Sequence, residues 1–302
     1  MIMSIVLMYH RVTVTDLDPH NLTVSPTHFR EHLSVLRKLT SPRHLMEIVD
    51  NWSDSDNGVA VTFDDGYADN LFEALPALET EEIPATIFVA TGVLDKEAFW
   101  VDRLARCLLL DKEYPDVVMF ELGGKKIQID LRTFEDRKTA HCHLHRIMRN
   151  LHPDLIEKKI FQLANSLNID PSPPASDRPL TSQEAAQLTS HSLIDLGGHT
   201  VFHPCLSRLQ LAEQQWEIEM CKASLHELGA PKVLAFAYPF GDRESYTFIT
   251  RFLVRKAGWH HAVISEPKQG LWFRRYAVPR HFVGDWDGDG FERRLRKWLA
   301  SD

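Results

Sequence analysis

Two carboxylates and two histidines stand at spacings that could hold a metal ion and run a hydrolysis. The stretch Val59-Ala60-Val61-Thr62-Phe63-Asp64-Asp65-Gly66-Tyr67 carries an apolar run straight into adjacent carboxylates and a glycine. A buried parallel strand ending at an active-site rim has this form. Strand alternation sends the Asp64 and Asp65 side chains in different directions, so one can bind a metal while the other stays free as a base. Taken alone, the stretch also reads as a strand-ending turn, because Asp and Gly are ordinary turn residues. Gly198-His199-Thr200-Val201-Phe202-His203-Pro204 changes the balance, following another apolar run, with imidazoles four residues apart that can reach one ion. Two histidines and one carboxylate make a hydrolytic metal triad with positions left open for water and substrate. A third rim stretch, Ala235-Phe236-Ala237-Tyr238-Pro239-Phe240-Gly241-Asp242, by itself reads as a strand and a Pro/Gly turn.

The elements that must carry these residues follow an α/β rhythm. Residues 4–10 read as a strand with a polar rim at Tyr9, His10 and Arg11. Residues 26–39 read as an amphipathic helix with Phe29, Leu33, Leu36 and Leu39 on one face. Strands are expected over 59–63 and 84–89, with a helix over 71–78 between them. This β-α-β-α-β order implies a parallel sheet with right-handed crossovers. The rhythm returns after the histidine pair, with helices over 210–228 and 245–256, strands over 233–238 and 261–264, a last rim segment over 276–283 and a basic helix over 291–300.

Residues 95–191 break the rhythm and exceed what one crossover needs. Helices are expected over 99–110, 133–149 and 154–167, a hairpin over 117–131 turning at Gly123-Gly124, and a linker at 171–174. We read an inserted helical subdomain near the rim of a single 302-residue domain, as a cap on substrate access or as a brace. His141 and His145 share a face of one of its helices and could bind metal, but without an evident carboxylate partner they read as solvated imidazoles. Asp285-Trp286-Asp287-Gly288-Asp289-Gly290 imitates the start of a calcium loop, but its twelfth position is Arg296 where a bidentate Glu is needed. It reads as a turn and helix N-cap.

Composition sets outer bounds. The chain has 302 residues, 44% hydrophobic and 25% charged, which suits a soluble globular protein. A net charge of −8 argues against nucleic acid as the main partner. The apolar start has no basic lead and no small-residue cleavage site, so it reads as a strand and not a signal peptide, and no run reaches the length of a membrane span. Cytoplasmic residence, with peripheral contact to the inner membrane as an option, is the expectation. Four cysteines without a Cys-x-x-Cys pair suit free thiols in a reducing compartment.

Taken together and in this order, the three rim stretches resemble the polysaccharide deacetylase family, carbohydrate esterase family four. Thr62 to Gly66 match its Thr-Phe-Asp-Asp-Gly motif, His199 to Pro204 its paired-histidine motif, and Pro239-Phe240-Gly241 the end of its third motif. The resemblance runs from about residue 5 to 283. It implies a distorted, incomplete (β/α) barrel of the deacetylase type with a helical insertion. It also implies one divalent metal, zinc first, with cobalt, nickel or manganese as alternatives, held by Asp65, His199 and His203. Asp64 corresponds to the catalytic base and the Phe240 N–H to the oxyanion donor. The implied reaction is metal-dependent removal of an N-acetyl group from an amino sugar of a glycan or glycan precursor. In a cytoplasmic setting the substrate could be lipid-linked or nucleotide-linked.

Two departures from the family pattern matter. The Leu-x-His that supplies the general acid in many members is absent, and Ala237 stands where an arginine orients the base. The segment Leu7-Met8-Tyr9-His10-Arg11-Val12 is similar to the early strand that carries the acidic histidine in biofilm-polysaccharide deacetylases, so His10 is the candidate acid. Arg280, in a Val-Pro-Arg context, could replace the missing arginine by pairing with Asp64. Asp69, Trp100 and Tyr238 could line the sugar site, or for Trp100 and Tyr238 pack a core. Deformylation or opening of a cyclic amide on the same scaffold is a rival reading, as is a non-catalytic glycan-binding module.

Overall fold

A computed structural model describes residues 4–52, 57–122, 124–266 and 275–300. Its centre is a set of eight short strands: β1 (Ile5–Tyr9), β2 (Gly58–Phe63), β3 (Ala85–Val89), β4 (Ile194–Gly198), β5 (Ala235–Ala237), β6 (His261–Ile264), β7 (Val278–Pro279) and β8 (His281–Phe282). All pair in parallel, in the order β7-β6-β5-β4-β3-β2-β1-β8. Only Arg280 separates β7 from β8, so the two edges of the sheet meet in one chain segment. The result is a nearly closed parallel barrel with flanking helices. The rim segment expected over 276–283 is thus two strands, because the chain leaves the edge beside β6 and joins the edge beside β1 at Arg280.

Period-two alternation divides the strand residues between two cores. Ile5, Leu7, Tyr9, Val59, Val61, Phe63 and Ile87 join helical residues such as Phe29, Leu33, Leu36, Ile218 and Val254 in the outer layer. Val6, Ala60, Phe88, Ala235, Ala237, Val263 and Val278 fill the lumen with Leu45, Ile48 and Val49 of the helix Leu45–Asp50. The Gly-Gly end of β4 serves both layers. A Cβ on Gly197 would lie 2.4 Å from Phe88 Cδ1, and one on Gly198 would lie 2.3 Å from Trp259 Cη2.

Two helices depart from expectation for local reasons. After the Asp-Asp-Gly turn the chain makes a π turn, Asn70–Ala74, before the α-helix Leu75–Thr80. Pro76 offers no N–H and crowds the carbonyl four residues back, which favours a wider turn just before it. The helix expected from 245 starts at Phe248, where the Thr247 side chain accepts from the Thr250 N–H.

A separate hydrophobic core lies within the stretch after β3. It joins the helices Trp100–Leu109, Phe134–Met148 and Pro153–Leu167 to the hairpin Val117–Leu122/Lys125–Asp130 through Leu104, Leu108, Phe120, Leu144, Ile160 and Leu163. Gly123 of the expected turn lies outside the described residues. The helix Ser182–Thr189 instead gives Ala185 and Leu188 to the barrel's outer layer. Asp287 of the calcium-loop imitation accepts from the Gly290 N–H as an N-cap. All four cysteines are free. Among the described residues, no helix is long and apolar enough to cross a membrane.

Candidate active site and metal centre

The chemistry-bearing residues gather at the C-terminal ends of the strands, where parallel (β/α) barrels build their sites. Asp64 and Asp65 follow β2. The Asp64 N–H donates to the Tyr9 carbonyl at 3.0 Å, continuing the ladder between β1 and β2. Asp65 then takes a left-handed φ of +74°, and Gly66 one of +86°. That sharp turn separates the two carboxylates. Non-glycine residues held in this region are strained, and the surrounding structure must enforce them.

His199 follows β4, with its N–H donating to the Val89 carbonyl at 3.0 Å. Thr200 (φ +66°) and His203 (φ +55°) are also left-handed. Glu217 holds this turn. Its Oε2 accepts the Val201 N–H at 2.7 Å and the Phe202 N–H at 3.0 Å, and Thr200 Oγ1 accepts the His203 N–H at 3.0 Å. Neither residue figures among the sequence-derived candidates. A signal existed for Glu217, a carboxylate sharing the buried face of the helix Leu211–Glu227 with Ile218, Cys221 and Leu225.

Asp65, His199 and His203 place their ligand atoms within 4.8 Å of one another. Asp65 Oδ1 faces both Nε2 atoms at 3.4 Å. His199 Nδ1 lies 2.8 Å from the Ala237 carbonyl, which can only accept, so Nδ1 carries the proton. That bond aims the Nε2 of His199 at Asp65 as a ligand atom. Burial pushes the Asp65 carboxyl up, but the imidazoles of His199 and His203 that face it bring it well below the usual range. Burial lowers His203 to about 4. One carboxylate oxygen facing two ring nitrogens is an arrangement for a cation, and the donor set fits a divalent ion such as zinc.

Asp64 belongs to a different pairing. Arg280 Nη1 donates to Oδ1 at 2.7 Å and Nη2 to Oδ2 at 2.6 Å. The guanidinium is itself fixed by the Thr62 hydroxyl at 3.1 Å and the Ile264 carbonyl at 3.3 Å. Burial raises the Asp64 carboxyl, but Arg280 and His199 more than offset this and leave it lowered. His10, directly after β1, stands close enough to feel the charges of Asp65, Asp64, Arg280 and His199, and burial lowers its pKa. Its Nδ1 is buried without a hydrogen-bond partner among the described residues.

Phe240 sits in a left-handed turn (φ +63°) with its ring 4.8 Å from that of His203 in an edge contact. Its carbonyl accepts from Ser265 Oγ at 2.6 Å, and Arg149 lies 4.4 Å over its ring.

The three suggested sugar-lining residues are all buried. Tyr238 is 1% exposed in the outer core, its ring stacked on Tyr246 and its hydroxyl donating to the Tyr276 carbonyl at 3.1 Å. Asp69 is buried and taken up by Arg11 Nε at 2.9 Å and the Val12 N–H at 3.0 Å. Trp100 packs in the separate core after β3, its indole stacked on His145 at 5.3 Å. Tyr238 and Asp69 thereby have their polar atoms satisfied internally, and the Trp100 face is covered. The helix carrying His141 and His145 is not solvated at these positions, since His141 is fully buried.

The family described as polysaccharide deacetylase matches residues 53–261. No curated protein sequence matches the chain. Among solved structures, BC0361, a polysaccharide deacetylase from Bacillus cereus, superposes with a TM-score of 0.62 at 15% identity, covering 97% of this chain and 69% of its own. The Streptococcus pyogenes deacetylase PplD, solved with acetate, gives 0.60 at 16% identity, covering 97% and 98%. IcaB from Ammonifex degensii gives 0.56 at 17% identity, covering 99% and 98%. At these identities the likeness is one of fold.

Proposed function

The chain belongs to the polysaccharide deacetylase family, and we propose that it is a metal-dependent hydrolase removing an N-acetyl group from an amino sugar of a glycan or glycan precursor. The observation that carries this reading is the division of labour between neighbours. Asp65 faces two imidazoles while Asp64 is held apart by Arg280. A binding module would have use for the first arrangement but not for a second carboxylate kept ionised beside it.

In this reading Asp65, His199 and His203 hold the ion. When bound, it supplies Lewis acidity at the acyl carbonyl and acidifies a water. Asp64 accepts the proton of the attacking water. Both its oxygens are engaged by Arg280, yet a carboxylate has about four lone-pair sites, so acceptor capacity is left. Arg280 takes the orienting role that Ala237 cannot. Ala237 and the Phe88 ring over which Arg280 lies, at 5.5 Å, both line the barrel lumen. The Phe240 N–H is the donor to the developing oxyanion. His10, with its free buried Nδ1, is the group that passes a proton to the leaving sugar amine, which cannot depart as an anion. The stretch after β3 reaches the site through His145, whose ring lies 6.3 Å from that of Phe240.

The test is acetate release from N-acetylated oligosaccharides and from lipid- and nucleotide-linked amino sugars. Metal-stripped protein, zinc-reloaded protein and Asp64→Asn are compared. Release should require both metal and Asp64, with Asp64→Asn slower by roughly 10²–10⁴-fold. Loss of formate, or opening of a cyclic amide without acetate, would replace the acyl group in this reading. Zinc binding without any hydrolysis would support a binding module.

A further inference from the structure

Three histidines outside the first cluster meet where the second core abuts the barrel. His20 lies on the segment after β1, and His141 and His145 lie one turn apart on the helix Phe134–Met148. The ring centroids are 4.3 Å apart for His20 and His145, 5.2 Å for His20 and His141, and 6.3 Å for His141 and His145. These values bracket the 4.8 Å between His199 and His203. His141 is fully buried, and neither of its ring nitrogens has a hydrogen-bond partner among the described residues. The buried Nε2 of His20 has none either. Unpaired buried polar groups are rare and unfavourable, so several at one place point to a ligand that takes lone pairs. Burial lowers all three histidines, His141 to about 4 and His145 to about 3, which leaves neutral rings with a lone pair each at neutral pH.

We propose that His20, His141 and His145 form a second divalent metal site, distinct from Asp65, His199 and His203. An all-imidazole set suits zinc, copper, nickel or cobalt and not magnesium or calcium, which take oxygen ligands. Among the described residues, only the first cluster already has its ligand atoms within 4.8 Å of one another. The ligand atoms of the trio are not that close in this arrangement, so ion binding requires the half-buried His20 and His145 rings to turn toward the buried His141. Three protein ligands leave a fourth position for water. The bound ion ties the segment after β1 to the helix Phe134–Met148 and fixes His145 beside Phe240.

Zinc per chain, measured by mass spectrometry after stripping, reloading and removal of excess, tests this. Wild type should hold two ions, and His20→Ala, His141→Ala and His203→Ala one each. A single ion in wild type that disappears in His203→Ala overturns the proposal and means that water fills the trio. Two ions retained in both His20→Ala and His141→Ala overturn it as well. A single ion lost in His20→Ala but kept in His203→Ala leaves the second site standing and removes the first. Should His141→Ala fail to fold, His20→Ala, at a half-exposed position, decides alone. Cobalt reloading gives a second readout, since the visible spectrum of wild type should be the sum of those of His20→Ala and His203→Ala.

Discussion

Arg280 and Asp64 meet through two parallel hydrogen bonds of 2.7 and 2.6 Å, both side chains buried, at the point where the barrel closes. The residue at the barrel's closure is therefore also the one that pairs with Asp64 and lowers its pKa. Arg280→Lys keeps the charge but loses the planar fork. It should lower kcat by roughly 10²-fold through misplacement of the carboxylate, with little change in KM. The folded pKa of Asp64 is depressed, so its ionised form persists below the ordinary carboxylate range and is lost as pH falls through that lowered value. Weakening the pair raises this pKa, so the acid limb of the kcat pH profile should move to higher pH. Arg280→Ala leaves a buried carboxylate unpaired and should destabilise by about 3–5 kcal/mol. An Arg280→Lys profile that overlays the wild type would rule out the orienting role.

Much of this arrangement was legible in the chain. The strands feeding Asp64, His199 and Phe240 are largely apolar runs that end at a rim, and local pattern suffices to find them. Arg280 was legible only as a candidate, because its partner lies 216 residues away and the split between β7 and β8 is a property of sheet closure. Tyr238 shows alternation being underused, since β5 turns Ala235 and Ala237 into the lumen and so sends Phe236 and Tyr238 to the outer core. Asp69 could not be separated from a sugar ligand without its buried partner Arg11, 58 residues away. The histidines on Phe134–Met148 looked solvated because the helix is polar on most faces, and the surface that covers His141 comes from elsewhere in the chain.

A pH effect on stability is expected at Asp102. Burial pushes this carboxyl up to about 7, against the opposing pull of Arg11 and a hydrogen bond from the Tyr67 hydroxyl at 3.0 Å. A carboxyl whose folded pKa exceeds its unfolded value of about 3.9 penalises the folded state once both are ionised. The penalty should fade as pH falls from about 7 toward the unfolded value. Relative to Asp102→Asn, wild type should gain on the order of 1 kcal/mol between pH 8 and pH 5, a figure discounted for partial exposure. Buried histidines such as His141 and His203, lowered to about 4, cost both proteins alike over the same range. Asp64 and Asp65 are depressed, so their contributions change only below this window. Thermal melts of both proteins at the two pH values decide it, and equal slopes would remove Asp102 as the cause.

Gly198→Ala tests the packing behind the histidine motif. The added methyl would lie 2.3 Å from Trp259 Cη2 and 3.0 Å from Cys221 Sγ, both in the outer core. Overpacking at such a site typically destabilises by about 1–3 kcal/mol. Because Gly198 directly precedes His199, the strand shift should also weaken metal binding. A second change, Trp259→Phe, removes the crowding ring edge and should restore part of both losses, read by denaturant titration and zinc affinity.

Glu217 offers the sharpest separation of positioning from chemistry. Its Oε2 accepts the N–H groups of Val201 and Phe202, which lie between His199 and His203. Burial raises its pKa, and those two N–H groups pull it part of the way back. Glu217→Gln keeps a carbonyl oxygen able to accept both bonds and should retain near-native zinc affinity at His199 and His203. Glu217→Ala removes the acceptor, frees the left-handed Thr200 and His203 to relax, and should weaken zinc binding roughly 10–100-fold, as loss of outer-shell support does elsewhere. The check is zinc affinity by competition with a chelating dye, beside thermal melts with and without metal. If Gln and Ala lose affinity equally, the negative charge matters and not the hydrogen-bond geometry. If neither loses any, the turn holds itself.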